Sequence, residues 1–371
     1  MLRRICLKKP DVLGNDDTRA WFTQLERHHM GQFSMAAYQA NSIMEDYTQV
    51  EVGDNSLFVG IYDGHNGTNA AKFISNHIFE ELSRLIRENN NVMREKLLRE
   101  DVVTIETKFT HVVIANEQTN PDIRYVGSCC LIALIWKGTL YIANLGDSRV
   151  VLGTTMDVVQ AEAEQLTLVQ QFPSGRTFLS NYEINELMVK GFSKVTGTIG
   201  DVYIKRSLAY LPEFKNMYMP SCPRIVSSQP NTGSRILRYG HKFFILASSG
   251  FWEIMTNEEA VSIVERNSRR GIAKTLLRKA LEKVAAKERM SYKDIVCSAD
   301  RKKFHDDITI IVVFLDLDKD KPLWKRNVPK LSYKVPPMYS PFFPFKTSHI
   351  DFHDRFSQLT LFDLTDFADL D

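Results

Sequence analysis

Acids recur where apolar runs begin or end. Asp63 and His65 follow LFVGIY in LFVGIYDGHNGTNAAKF, and Asp147 follows an apolar run in ANLGDSR. Asp306 and Asp307 precede another run in FHDDITIIVVFL, while Glu45 and Asp46 sit in NSIMEDY. Carboxylates gathered at strand ends can share a hard divalent cation, completed by backbone carbonyls and water. Without a cation such a cluster repels itself and its pKa values rise. His65, two residues beyond Asp63, adds a group able to carry a proton near neutral pH. Taken singly, each acid is an ordinary turn residue and the histidine an ordinary solvated one. Gly64 and Gly67 can let the chain turn sharply into the following helical pattern. They form no phosphate loop, because G-x-x-x-x-G-K-[ST] is absent.

These residues depend on the elements that carry them. Strand-like runs are LFVGIY (57–62), LIALIW (131–136), LYIANL (140–145), RVVLG (149–153), FFILA (243–247) and ITIIVVFL (308–315). Each is short, rich in β-branched or aromatic residues, and bounded by Gly, Asp or Ser. LIALIWKGTLYIANL reads as a hairpin turning at Lys137 and Gly138. Ala71, Ile74, Ile78, Leu82 and Leu85 recur at spacings of three and four, predicting a one-sided helix over 68–87. Thr256 with Glu259 reads as a capping box, and a further helix is expected near 271–287. Strands and helices come in clusters, which favours antiparallel sheets with helices packed outside them.

A chain of 371 residues, 44% hydrophobic and 25% charged, can bury a substantial core. A formal charge of +2 gives no sign of nucleic-acid binding, and no apolar stretch approaches the ~20 residues of a membrane span. Cys6, Cys129, Cys130, Cys222 and Cys297 are odd in number and form no C-x-x-C pair, so buried thiols in a reducing compartment are expected. The basic start MLRRICLKKP lacks the apolar core of a secretory signal. Cytosol or nucleus is the expected compartment, and a monomer the expected state. Six of the thirteen prolines lie in 322–344. The reading is therefore an N-terminal extension (1–29), one domain (30–317) and a proline-rich flexible tail (318–371). The tail ends in LFDLTDFADLD, whose alternating acidic and apolar residues suit either a docking segment or solvated disorder.

One ordered set of motifs carries a resemblance. MED (44–46), FVGIYDGHNG (58–67), GSCC (127–130), ANLGDSRVVLG (143–153), TIGDVYIK (198–205), ILASSGFWE (245–253) and FHDDITIIVVFL (304–315) resemble the protein phosphatase 2C family of metal-dependent serine/threonine phosphatases. GQFSMAAYQAN, GSCC and FHDDITIIVVFLD look most like its plant clade D branch. The resemblance implies an α+β fold of two packed antiparallel β-sheets flanked by helices. By it, Asp63 would bridge two Mg²⁺ or Mn²⁺ ions, Gly64 would offer its carbonyl, Asp306 would bind one metal, and Glu45 would hold metal-bound water. His65 would protonate the leaving serine or threonine oxygen, and Asp147 would serve a third metal. Phosphoprotein substrates or regulators would be the partners, and peripheral plasma-membrane association is open by analogy to that branch.

The pattern also breaks. Where the family reads ASDG, this chain has Ala247, Ser248, Ser249 and Gly250, so Ser249 replaces a carboxylate ligand. Val195, Thr196 and Gly197 stand for V-S-R, and Leu168, Val169, Gln170, Gln171 and Phe172 for an acid–histidine motif. Asn41 occupies the place of a phosphate-binding arginine. Two functions stay open: a weakened phosphatase, or a catalytically inactive relative that binds phosphoproteins or regulators.

Overall fold

The computed structural model describes residues 19–155, 161–171, 195–207, 226–317 and 331–335. The strands are β1 (Ala20–Phe22), β2 (Glu26–His28), β3 (Gly31–Tyr38), β4 (Tyr47–Val52), β5 (Ser56–Tyr62), β6 (Gly64–His65), β7 (Gly127–Ser128) and β8 (Cys130–Trp136). They continue as β9 (Thr139–Leu145), β10 (Arg149–Thr154), β11 (Glu162–Gln165), β12 (Ile199–Gly200), β13 (Asn231–Ile236), β14 (His241–Ala247), β15 (Ile308–Leu315) and β16 (Leu331–Val335). The helices are α1 (Asn69–Glu88), α2 (Glu95–Asn116), α3 (Val202–Ser207), α4 (Ser249–Trp252), α5 (Asn257–Arg266), α6 (Ile272–Glu288) and α7 (Tyr292–Cys297).

Two antiparallel sheets face each other. One runs β1-β3-β15-β14-β10-β11, with β2 also on β3; the other runs β13-β9-β8-β5-β4-β16. Strict alternation along each strand builds three layers of core. In β5, Leu57, Val59 and Ile61 pack between the sheets with Ile311 and Val313 of β15. Phe58 and Tyr62 of the same strand point the other way, against Ile74, Ile78 and Leu82 of α1 and Phe109 of α2. On the far side, Ile308, Ile310 and Val312 meet Leu276, Leu277 and Leu281 of α6. Strands covered on both faces read as unbroken apolar runs, which is why the central ones were so plain in the sequence.

The expected α+β sandwich is the one observed. The hairpin turns at Lys137 and Gly138, both at positive φ (49° and 80°), the backbone of a tight primed turn. Thr256 and Glu259 form the capping box in both directions (3.2 and 2.9 Å). Strands lie beyond both expected domain boundaries. β1 and β2 pair with β3 inside the segment read as an extension. β16 adds an edge strand to β4 from within the segment read as a tail.

Candidate metal centre and acid–base pair

Asp63 sits between β5 and β6, where the chain leaves one sheet of the sandwich for a third, small sheet ordered β12-β7-β6. Its carbonyl accepts from the Cys129 N–H (2.8 Å), which fixes the crossing point. In the small sheet His65 lies opposite Gly127, and Gly127 opposite Gly200. That register brings His65 to Asp201, the residue after β12: His65 Nε2 lies 3.0 and 2.9 Å from the two Asp201 carboxylate oxygens. Gly127 makes the meeting possible. A Cβ there would collide with both the Asp201 carboxylate and His65 Nε2. Burial alone would lower the His65 pKa, but the Asp201 carboxylate, with Asp63 and Glu45 behind it, raises the value above 6.5. Burial pushes Asp201 up, and His65, Thr198 and Lys205 together bring it below its ordinary value.

The acids gather on the same rim. Asp307, which opens β15, collects the N–H groups of Ala40 (2.6 Å), Asn41 (3.0 Å) and Glu45 (2.7 Å), locking the loop before β4. Asp306, beside it, accepts from the Asn41 amide (3.0 Å) and pairs with the Lys302 ammonium. Glu45 accepts from the Gly67 N–H (2.5 Å), and a Cβ on Gly64 would press against the Glu45 carbonyl. Asp147 accepts from Gln171 (2.8 Å) and the Cys129 thiol (3.4 Å). Ser249 opens α4 after β14, and both its N–H (2.9 Å) and its hydroxyl (2.6 Å) donate to one oxygen of Asp63. Burial, then Asp147, then Asp306 push Asp63 up to about 7. Asp46, buried and accepting from Thr309 (2.6 Å), is pushed well above its usual range by burial, Asp63 and Asp307.

Do these residues suit a divalent cation? Among the described residues no three His, Cys, Asp or Glu side chains close around a single point. Each acid instead meets a protein donor, and Lys302 supplies a positive charge beside Asp306. The donor chemistry nonetheless fits a hard cation. The groups are carboxylates, and burial, followed by the charges of Asp147 and Asp306, forces Asp63 towards neutrality. The rim is therefore a set of carboxylate oxygens of the kind Mg²⁺ or Mn²⁺ takes, without a preformed cage among the described residues.

All the residues expected at the site (Glu45, Asp63, Gly64, His65, Asp147, Ser249, Asp306) lie on elements of this rim. Asp201 and Gly127 were not foreseen as site residues. The glycine–aspartate pair at 200–201 was visible in the sequence, but its partner depends on the register of three two-residue strands. Two departures from the family pattern prove to be neighbours. A Cβ at Gly197 would collide with the Gln170 side chain, whose oxygen accepts from the Gly146 N–H (3.0 Å). Residues 172–194, between these two departures, lie outside the described residues.

Comparisons with known proteins agree with this architecture. A crystal structure of serine-threonine phosphatase 2C from Toxoplasma gondii superposes with a TM-score of 0.58 at 18% identity, covering 80% of this chain and 99% of that one. At that identity the likeness speaks to the fold alone. Probable protein phosphatase 2C 43 of Oryza sativa subsp. japonica is 40% identical over 318 residues, 81% of this chain and 82% of that protein. Probable protein phosphatase 2C 68 of Arabidopsis thaliana is 40% identical over 346 residues, 86% of each. The Protein phosphatase 2C profile matches residues 19–289. With two packed sheets, an acid rim on their edge and relatives at this identity, the chain belongs to the protein phosphatase 2C family of metal-dependent protein phosphatases.

Proposed function

We propose that this chain hydrolyses phosphoserine and phosphothreonine esters in proteins, with a weakened hold on its divalent cation. The observation that carries the reading is the His65–Asp201 pair beside Asp63. A module that only binds phosphate has no use for a partly buried imidazole paired with a carboxylate at the edge of an acid array. Nε2 of His65 is committed to Asp201. The proton for the leaving serine or threonine oxygen then comes from Nδ1, as general acid. Asp201 orients that imidazole and favours its charged form. Asp63, Asp306 and the Gly64 carbonyl would hold the cation, which when bound would acidify a water and offset phosphoryl charge. Asp307 fixes the backbone of Glu45 and Asn41 around them.

Ser249 is the source of the weakness. It occupies an Asp63 oxygen with two hydrogen bonds and brings no negative charge. A second reading, a non-catalytic phosphoprotein binder, draws on the same fact, together with the Lys302 ammonium on Asp306. Phosphate release from a phosphothreonine peptide separates the two. The phosphatase reading expects release that needs millimolar Mn²⁺, stops with chelator, and disappears in Asp63→Asn. Peptide binding without release, or release undiminished in Asp63→Asn, contradicts it.

A further inference from the structure

The pairing of His65 with Asp201 rests on an unusual stretch of backbone. Gly200 and Asp201 both have positive φ, 88° and 49°. Glycine tolerates that region, but aspartate adopts it at a cost and keeps it only where surrounding contacts over-determine it. A side chain on Gly200 would also collide with the Val126 carbonyl and crowd Phe109. Something outside the site must hold this turn.

The holding contacts come from α2, a helix that gives no atom to the acid rim. Most of its buried face is apolar: Leu98, Val102, Ile105, Phe109 and Val113. Asp101 and Glu106 are the exceptions, and Glu106, near the middle of the helix, reaches the turn. One of its carboxylate oxygens accepts from the Gly200 N–H (2.8 Å), and the other pairs with the Lys205 ammonium (2.5 Å). Lys205, on α3, also donates to the Thr198 carbonyl (2.8 Å). The Asp201 N–H donates to the Val126 carbonyl (2.9 Å). The two charged side chains thus grip the turn on both sides, at Thr198 before it and at Gly200 within it. Both are largely withdrawn from solvent, with side-chain exposures of 16% for Lys205 and 11% for Glu106. A half-buried ion pair is a costly way merely to join a helix to a loop, since apolar contacts would do it as well. Its distinctive property is direction: it fixes where one particular N–H and one particular carbonyl point.

We propose that Glu106 and Lys205 are positioning residues for the acid–base pair. They hold the Gly200–Asp201 turn in the left-handed conformation that aims Asp201 at His65 across Gly127. The proposal rests on the reading of His65 as proton donor, and its test has one arm that does not depend on activity.

In the full-length chain, Glu106→Ala and Lys205→Met are compared with the conservative Glu106→Gln and Lys205→Arg. The first readout is the nitrogen and proton NMR signal of His65 Nε2–H, assigned by its loss in His65→Gln. The second is the split between kcat and KM on a phosphothreonine peptide with Mn²⁺. Glu106→Ala and Lys205→Met should move the imidazole proton signal upfield, towards that of an unpaired ring. They should lower kcat about 10- to 100-fold, part of what a general acid supplies, with KM changed less than about twofold. Glu106→Gln, which still accepts from Gly200, and Lys205→Arg should recover most of both. An unchanged His65 signal in folded Glu106→Ala or Lys205→Met overturns the proposal, as does a KM rise that accounts for the whole loss. If Glu106→Ala does not fold, Lys205→Met against Lys205→Arg decides. A wild-type chain without hydrolysis removes the phosphatase reading, while the NMR arm still passes judgement on the positioning role.

Discussion

At the scale of single residues, the site is governed by which charges are compensated and by what. Asp63 is forced towards neutrality by burial and by Asp147 and Asp306, to a pKa of about 7. A carboxyl whose folded pKa exceeds its unfolded one holds extra protons when folded, so the metal-free protein loses stability as pH rises from about 4 to about 7. Asp63→Asn removes that penalty and keeps an oxygen for Ser249. In chelator at pH 8 it should be more stable than the parent by roughly 1–3 kcal/mol, and near pH 4 by little, because the parent Asp63 is then protonated too. Denaturant titrations at the two pH values check this; equal stability at pH 8 would remove the repulsion argument. His65 titrates in the opposite sense. Its raised pKa makes the imidazolium a stabilising partner of Asp201, fully so below about pH 6.5 and lost as pH rises through the elevated value. On the acid side the pair weakens only as Asp201, held below its ordinary range, takes up a proton. Asp201→Asn should therefore shift the alkaline limb of the kcat profile to lower pH and reduce kcat by 10²-fold or more. An unmoved alkaline limb would mean that His65 does not set it.

At the scale of elements, three two-residue strands decide whether the chemistry exists. β6, β7 and β12 align His65, Gly127 and Gly200 across one row, and the missing side chain of Gly127 leaves the gap in which His65 and Asp201 meet. Gly127→Ala should separate them, with hydrolysis falling by 10²-fold or more and a stability cost of about 1–3 kcal/mol from overpacking. Activity near the parental level in this variant would show that the pair is dispensable. Such an arrangement was not legible in the sequence, because a two-residue strand has no periodicity and a register between distant segments leaves no local trace. The long strands β5, β8, β9, β10, β14 and β15 were legible, since apolar residues on both faces leave unbroken runs. α2 was overlooked although its stripe at Leu98, Val102, Ile105, Phe109 and Val113 is regular. Asp101 and Glu106 interrupt it, both on the buried face. β13 is half exposed and polar, and β1 and β2 are three residues each, so neither pattern nor length announced them.

At the scale of the whole molecule, the sandwich brings residues 45, 63, 147, 201, 249 and 306 to one rim, and its sheets reach further along the chain than composition suggested. β16 extends one sheet from residue 331 to residue 335, and Tyr333 packs edge-on against Phe33 of the other sheet at 5.8 Å. Proline content masked this strand, because five paired residues carry no signal beside six nearby prolines. Ending the chain at residue 330 should lower the melting temperature by a few degrees relative to ending it at 339, for the loss of an edge strand and an aromatic contact; identical melting curves would mean that β16 adds nothing. The acids were visible in the sequence at the ends of apolar runs, while the protein donors that meet them, Ser249 on Asp63 and Lys302 on Asp306, emerge only from the packed structure. The central claim is that this rim holds a catalytic cation, loosely, because Ser249 stands where a charge is needed. Calorimetric titration of Mn²⁺ into the parent chain, Asp63→Asn and Ser249→Asp tests it directly. The account predicts weak binding in the parent, none in Asp63→Asn, and binding at least 10-fold tighter in Ser249→Asp. Parental affinity in Asp63→Asn, or no gain in Ser249→Asp, would contradict it.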